Sequence, residues 1–241
     1  MKPRCRGFLV GHHRSDAAKP GTFEHAGQIA FGESEPTVSI QFARFLEAVE
    51  QQIQHDEAPA RLENPVRGVD RPLWPHRVVA DLGAGEGTLA QLLAQRAEKV
   101  IAVDISPKMV AFGQQLAKKN GLDNLEFRIG DIEEPPIEEA SLDLAVLSQA
   151  LHHAALPQRA IDAAFRILKP GGRLIVLDLL QHSFEEAREL YADSWLGFSE
   201  CDLATMLERA GFVGIETVVA DRESAAPKLQ TLLGIGSRPA C

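Results

Sequence analysis

VVADLGAGEGTLA, residues 78–90, decides how the chain is read. A short β-branched run ends at Asp81-Leu82 and gives way to Gly83, Gly85 and Gly87, alternating with small or acidic residues before a leucine-bearing helical pattern. Strand, glycine turn and helix in that order bring bare backbone close to a ligand. Glycine has no Cβ to clash, and amides at a helix start favour negative charge. A dinucleotide-binding turn spaces its glycines GxGxxG, and the third of those positions is Thr88 here. The turn also carries two acids, Asp81 and Glu86, against which a diphosphate is poorly matched. A ligand with an ammonium group and a sulfonium suits it better. Asp81 would meet the ammonium, directly or through water, and the turn's amides the ligand's carboxylate.

Working outward, apolar runs alternate with helical patterns from residue 77 onward, the signature of a parallel sheet with helices on its faces. The runs are RVVADL (77–82), KVIAVD (99–104), LEFRIGD (125–131), LDLAVLS (142–148) and RLIVLDLL (173–180). VIAV and LIVL are apolar throughout, as in strands buried on both faces. LEFRI alternates, which places it nearer an edge. Leu89, Leu92 and Leu93 give the first helix its apolar face. Ser106-Pro107 supplies an N-cap and an N1 proline for the second, with Met109, Phe112 and Leu116 expected inside. Pro157 opens a third, with Ile161, Phe165 and Leu168 inward, and Lys169-Pro170-Gly171-Gly172 turns the chain back. FEEARELYADSWL (184–196) reads as helical, and a further helix runs from Ser199 through Arg209 to Gly211. FVGIETVVA and KLQTLLGIG close the sheet. The expected fold is α/β: a Rossmann-like, doubly wound, mostly parallel seven-stranded sheet with an N-terminal helical and irregular extension.

That extension has two parts. Residues 1–36 lack a sustained period and read as irregular, their basic first 14 residues as a disordered tail. Within 37–75, Val38, Phe42, Phe45, Leu46, Val49 and Ile53 form one helical stripe, a cover over the cleft or a dimerisation helix, followed by a proline-rich linker. The folded domain is expected over 76–241. A formal net charge of −9 argues against a nucleic-acid surface. No apolar run approaches the roughly 20 residues of a membrane helix. Cys5, Cys201 and Cys241 lie far apart without a CxxC pair, which fits a reducing cytoplasm and no structural metal.

Two further acids complete the pattern. Asp104 closes the second run, where a carboxylate accepts both hydroxyls of a ribose. Asp131 follows Gly130 after the third run, placed to accept from an adenine amino group while Ile132 packs on the ring; a plain turn acid is the competing reading. With SQALHHA (148–154) and ILKPGGRL (167–174), these motifs resemble those of class I S-adenosylmethionine-dependent methyltransferases, in the type 11, ubiquinone-methyltransferase-like group. DLLQHSFEEARELYADSWLGFS resembles the segment after the sheet in methyltransferase domains fused to ArsR-type regulators, although 1–75 shows no winged-helix pattern.

The resemblance implies S-adenosylmethionine (SAM) as cofactor and a small-molecule methyl acceptor as partner. Asp81, Gly83, Ala84, Gly85 and Gly87 would hold the methionine part. Asp104 would take the ribose, Ile105 and Met109 would lie beside the adenine, and Asp131 with Ile132 would finish its pocket. Ser148 and Gln149 would line the mouth near the sulfonium. His153, ahead of His152, is the candidate facing the acceptor, as base or hydrogen-bond donor; a structural histidine at a helix start is the alternative. His182 and Tyr191 are further candidates for the acceptor pocket, and Trp195 reads as core. Two other functions compete: a SAM-binding regulatory or scaffold protein, and a nicotinamide-dependent oxidoreductase. The acceptor itself, and whether carbon, oxygen or nitrogen is methylated, are not written in these motifs.

Overall fold

The computed structural model describes residues 74–222 and 229–240. The expectations for 1–36, for the helix over 38–53 and for the linker up to residue 73 lie outside them. The chain runs β1 (Trp74–Leu82), α1 (Thr88–Ala94), β2 (Ala97–Asp104), α2 (Pro107–Lys119), β3 (Leu125–Ile129), β4 (Leu142–Ser148), a 3₁₀ turn (Leu151–His153), α3 (Pro157–Ile167), β5 (Leu168–Leu179), α4 (Ala187–Leu190), α5 (Glu200–Ala210), β6 (Val213–Arg222) and β7 (Gln230–Ser237). Its strands form one seven-stranded sheet in the order β3-β2-β1-β4-β5-β7-β6. Pairing is parallel from β3 to β5, and β7 inserts antiparallel between β5 and β6.

Val100 to Val103 and Leu174 to Leu177 are buried at every position, as their uniform apolarity requires. β3 lies at an edge, with Phe127 buried and Ile129 exposed. The chain builds outward from β1 to β3, then crosses back to lay β4 on the other side of β1. Such a reversal leaves a crevice at the carboxyl ends of β1 and β4, where open α/β sheets bind ligands.

The caps read from sequence are present. Ser106 caps α2 by accepting from the Met109 N–H, with Pro107 at N1. Ser199 caps α5 by accepting from the Asp202 N–H, and Gly211 ends it in the left-handed region. Arg238 closes α3, donating to the carbonyls of Phe165, Arg166 and Leu168 and offsetting the acceptors a helix end exposes.

Four expectations need correction. The buried face of α2 is Val110, Gly113 and Ala117, while Met109 and Phe112 are exposed and Leu116 is half-buried. The reason is Phe127, whose ring fills the space where a Cβ on Gly113 or Gly87 would stand. Packing on small residues turns the bulky ones outward. The Lys169–Gly172 turn is absorbed into β5 as an irregularity, since Leu142 pairs with Leu168 and Leu144 already with Arg173. The helix expected over 184–196 shrinks to Ala187–Leu190, because Ala192 takes φ 60° and turns Asp193 inward to a buried position. Cys201 is disulfide-bonded, which the scattered cysteines gave no reason to expect. No helix among the described residues is long and apolar enough to cross a membrane.

Candidate active site

The glycine turn touches the turn after β4. A Cβ on Gly83, whose φ is +80°, would stand 2.4 Å from the Ala150 Cβ, so only glycine lets the two loops meet. Beside this contact opens a cleft of about 400 Å³ lined by Gly83, Asp104, Ile105, Gly130, Asp131, Ile132, Glu133, Gln149, Ala150, His153, Ala154 and Ala155. Seven of the residues singled out in the sequence line this one cavity: Gly83, Asp104, Ile105, Asp131, Ile132, Gln149 and His153. A broader depression of about 940 Å³, walled by Glu133 to Glu139 and α3, lies away from the glycine turn.

The remaining candidates do not line it. Gly87 is buried against Phe127, and Met109 is exposed on α2. Ser148 is half-buried at the end of β4, while the next residue, Gln149, enters the cleft with φ 52°. The turn's amides are also less free than expected. Those of Gly83 and Ala84 both donate to the Val103 carbonyl, that of Gly85 to Asp104 Oδ2, and that of Gly87 to the Ala84 carbonyl. A ligand carboxylate therefore cannot rely on these four donors. Three of them hold the turn against β2, and the fourth closes the turn on itself.

Asp104 ties the glycine turn to the start of α2. Its Oδ2 accepts the Gly85 N–H at 2.8 Å and its Oδ1 the Ser106 N–H at 2.8 Å. A carboxylate offers about four lone-pair sites, so two remain for a diol in the cleft. Asp131 is both lining and turn residue, its Oδ1 accepting the Glu133 N–H at 2.9 Å.

Asp81 lies beneath the turn at 2% exposure, and its Oδ2 has no hydrogen-bond partner among the described residues. Burial pushes its carboxyl up to about 7; the Ala90 N–H opposes the rise and the charge of Asp104 adds to it. A buried carboxylate with one oxygen unsatisfied is costly by itself and lacks a cation.

The two histidines separate. His152 is buried behind the cleft, its Nδ1 2.8 Å from Asp178 Oδ1 and its Nε2 3.6 Å from Asp193 Oδ1. Burial depresses its imidazolium, but the hydrogen bond to Asp178 and the fields of Asp178 and Asp193 outweigh this and raise its pKa. His153 lines the cleft with its side chain 45% exposed, its Nδ1 3.8 Å from Asp193 Oδ1. Its pKa is lowered, by burial first and then by His152. His182 accepts the Phe184 N–H at Nδ1, which leaves Nε2 as a buried N–H; burial lowers its pKa. Tyr191 is exposed. Trp195 is 44% exposed rather than core, and its indole N–H donates to the Ala154 carbonyl.

Asp178 and Asp193 were missed in the sequence, as were Glu133 and the Ala150, Ala154 and Ala155 wall. One signal was available for Asp178: an acid inside the apolar run RLIVLDLL must be paired when that strand is buried.

Comparison with known proteins agrees with this geometry. A family model described as a methyltransferase domain matches residues 75–216. An arsenite methyltransferase from Halobacterium salinarum is 32% identical over 159 residues, 62% of this chain and 41% of that protein. A ubiquinone/menaquinone biosynthesis C-methyltransferase from Brucella anthropi is 33% identical over 129 residues, 52% of this chain and 48% of that protein. The chain thus spans less than half the length of these two curated relatives. Phosphoethanolamine N-methyltransferase 2 from Haemonchus contortus, solved in complex with S-adenosyl-L-methionine, shares the fold with a TM-score of 0.59 at 16% identity, over 71% of this chain and 50% of that one. With the family model matching more than half of the chain, and the strand order and glycine turn in place, the chain belongs to the methyltransferase-domain family.

Proposed function

We propose that the chain transfers a methyl group from SAM to a small-molecule acceptor by direct displacement. The observation that carries this reading is Asp81: a buried carboxylate with one unsatisfied oxygen, under a glycine turn, at the switch point of the sheet. It fits a ligand bringing an ammonium group and fits a diphosphate badly, since Asp81 and Asp104 already feel each other's charge. When bound, SAM supplies a methyl carbon on a positively charged sulfur, with a neutral thioether as leaving group.

The chain's own residues then bind and align. Asp81, beneath the turn, attracts the ammonium, directly or through water. Asp104 accepts from the ribose hydroxyls with the lone pairs its backbone donors leave open. Ile105 and Ile132 present apolar walls to the adenine, and Asp131 stands at its edge. Gln149 and His153, at the β4 side of the cleft, face the acceptor. Alignment and exclusion of water can supply most of the acceleration for such a displacement. Two outcomes decide the reading. Incubation with SAM and a metabolite extract should yield S-adenosylhomocysteine above background; none would leave a protein that binds without transferring. Stabilisation by NADH but not by S-adenosylhomocysteine would reverse the assignment to an oxidoreductase.

Asp104→Ala should weaken S-adenosylhomocysteine binding by about 1.5–3 kcal/mol through the loss of two hydrogen bonds to a charged acceptor. That is roughly a 10- to 150-fold change in Kd, readable by calorimetry. Part of it would come from releasing the Gly85 and Ser106 amides, and Asp104→Asn, which keeps one acceptor oxygen, should recover part of the affinity. An unchanged Kd would remove Asp104 from the site.

A further inference from the structure

We propose that His152, His153 and Asp193 form a binding site for one divalent transition-metal ion at the edge of the cleft. Their ligand atoms lie within 4.8 Å of one another. Asp193 is 5% exposed, and its Oδ1 is buried without a hydrogen-bond partner while pointing at both imidazoles. Its distances to them, 3.6 Å to His152 Nε2 and 3.8 Å to His153 Nδ1, are too long for hydrogen bonds. They lie instead a few tenths of an ångström above the edge of a tetrahedron around a zinc-like ion, about 3.3 Å for bonds near 2.0–2.1 Å. The two imidazole nitrogens lie up to 4.8 Å apart, so the half-exposed His153 ring, which also hydrogen-bonds to the Ala192 carbonyl, must turn towards His152 to complete the set.

The surroundings of His152 suit a ligand. Its Nδ1–H donates to Asp178 Oδ1 at 2.8 Å, which directs the lone pair of Nε2 at Asp193. An imidazole oriented from behind by a carboxylate is the usual arrangement of a metal-binding histidine. Asp178 is itself held by the Leu151 and Leu179 N–H groups, so the carboxylate that orients the ring is fixed in turn. Without a cation, the imidazole lone pair and a carboxylate oxygen face each other in a buried space. A proton on Nε2 would still have to reach across 3.6 Å.

The Asp193 segment is bolted to the histidine turn. The Trp195 N–H donates to the His152 carbonyl, the Trp195 indole to the Ala154 carbonyl and the Ser194 hydroxyl to the His153 carbonyl. The left-handed Ala192, a conformation that costs a non-glycine residue energy, is what aims Asp193 inward. Two nitrogens and one carboxylate oxygen select a zinc- or cobalt-like ion over magnesium, which prefers oxygen ligands. His182 is not a ligand, because its Nδ1 is occupied and its Nε2 carries a proton. His153 is the member of the trio that lines the cleft, so the ion's open position faces the bound acceptor. This last point rests on the methyl-transfer reading, under which the ion favours acceptors bearing an oxygen donor beside the methylated atom.

The test titrates the metal-stripped full chain with Co²⁺, following its visible absorption, and with Zn²⁺ by calorimetry. One equivalent should bind, with no competition from Mg²⁺. His153→Ala and Asp193→Asn should each weaken Co²⁺ binding at least tenfold, and Asp178→Asn by about 10- to 100-fold through loss of the orienting acceptor. No saturable one-equivalent signal would overturn the site. Undiminished affinity in both His153→Ala and Asp193→Asn would also overturn it, since the ion would then be held elsewhere. Should Asp193→Asn fail to fold by circular dichroism, the exposed His153 decides alone. S-adenosylhomocysteine binding, measured on the same samples, separates the two readings. If it is retained while Co²⁺ binding is absent, the metal site falls and the cofactor reading stands; the reverse result does the opposite.

Discussion

Asp81→Asn should make the ligand-free protein more stable at pH 8 and at the same time weaken its hold on S-adenosylhomocysteine. Both effects follow from one buried carboxyl. In the folded chain its pKa is raised from 3.8 to about 7, so the native state binds this proton more tightly than the unfolded state does. The group's contribution to stability is fully present below about pH 4 and is lost as pH rises through about 7. Asparagine has nearly the same shape, keeps an acceptor for the Ala90 N–H and carries no charge to desolvate. It should therefore abolish this part of the pH dependence and melt higher than the parent above pH 7.

A bound ammonium group reverses the balance. It favours the charged carboxylate, so affinity for S-adenosylhomocysteine should rise with pH up to about 7 and then level off. Removing one partner of a buried charge pair costs roughly 2–5 kcal/mol, or about 30-fold to several thousand-fold in Kd. Thermal melting across pH 5–9, with and without S-adenosylhomocysteine, reads both effects. A variant that binds as well as the parent would place the ammonium elsewhere. One whose stability falls with pH as the parent's does would assign the titration to another group.

The fold was legible because its strands carry their own signature. The runs beginning at Val78, Val100, Leu142 and Leu174 are dense in branched apolar residues, and no helix face uses such uniform apolarity. The caps at Ser106 and Ser199 were legible for a local reason, since the side chain bonds an amide only three residues on. What failed were features decided across the sheet. The face of α2 was set by Phe127 on β3, which demands Gly113 opposite it and so expels Met109 and Phe112. A helical moment read along one segment cannot contain that.

The site divides in the same way. Residues at strand ends, such as Gly83, Asp104 and Gln149, meet in the cleft because parallel strands end on one edge. The occupation of the turn's amides by Val103 and Asp104 depends on how closely β2 approaches, which no motif spells out. Asp193 lay hidden within an apparently helical stretch. Its inward turn depends on a left-handed alanine, a conformation that residue rarely adopts and that local propensity argues against.

Asp178→Ala should cost about 3–5 kcal/mol of stability, the penalty for breaking a buried, hydrogen-bonded charge pair from one side. Asp178 is completely buried in β5, and three donors converge on it: the Leu151 N–H at 2.9 Å, the Leu179 N–H at 2.7 Å and His152 Nδ1 at 2.8 Å. Alanine leaves the first and last of these without their acceptor in a space that water does not reach. Small domains have only about 5–15 kcal/mol in all, so the variant should unfold at markedly lower urea, or not accumulate folded. Asp178→Asn keeps the volume and one acceptor oxygen, and should lose about 1–3 kcal/mol. The asparagine variant also reports on function. The 3₁₀ turn that Asp178 anchors presents His153 to the cleft, so loosening it should lower turnover while leaving S-adenosylhomocysteine affinity, set at Asp81 and Asp104, nearly unchanged. If Asp178→Ala cost less than about 1 kcal/mol in urea denaturation, the turn would be held by Trp195 and Ser194 alone, and β5 would not position the acceptor side of the site.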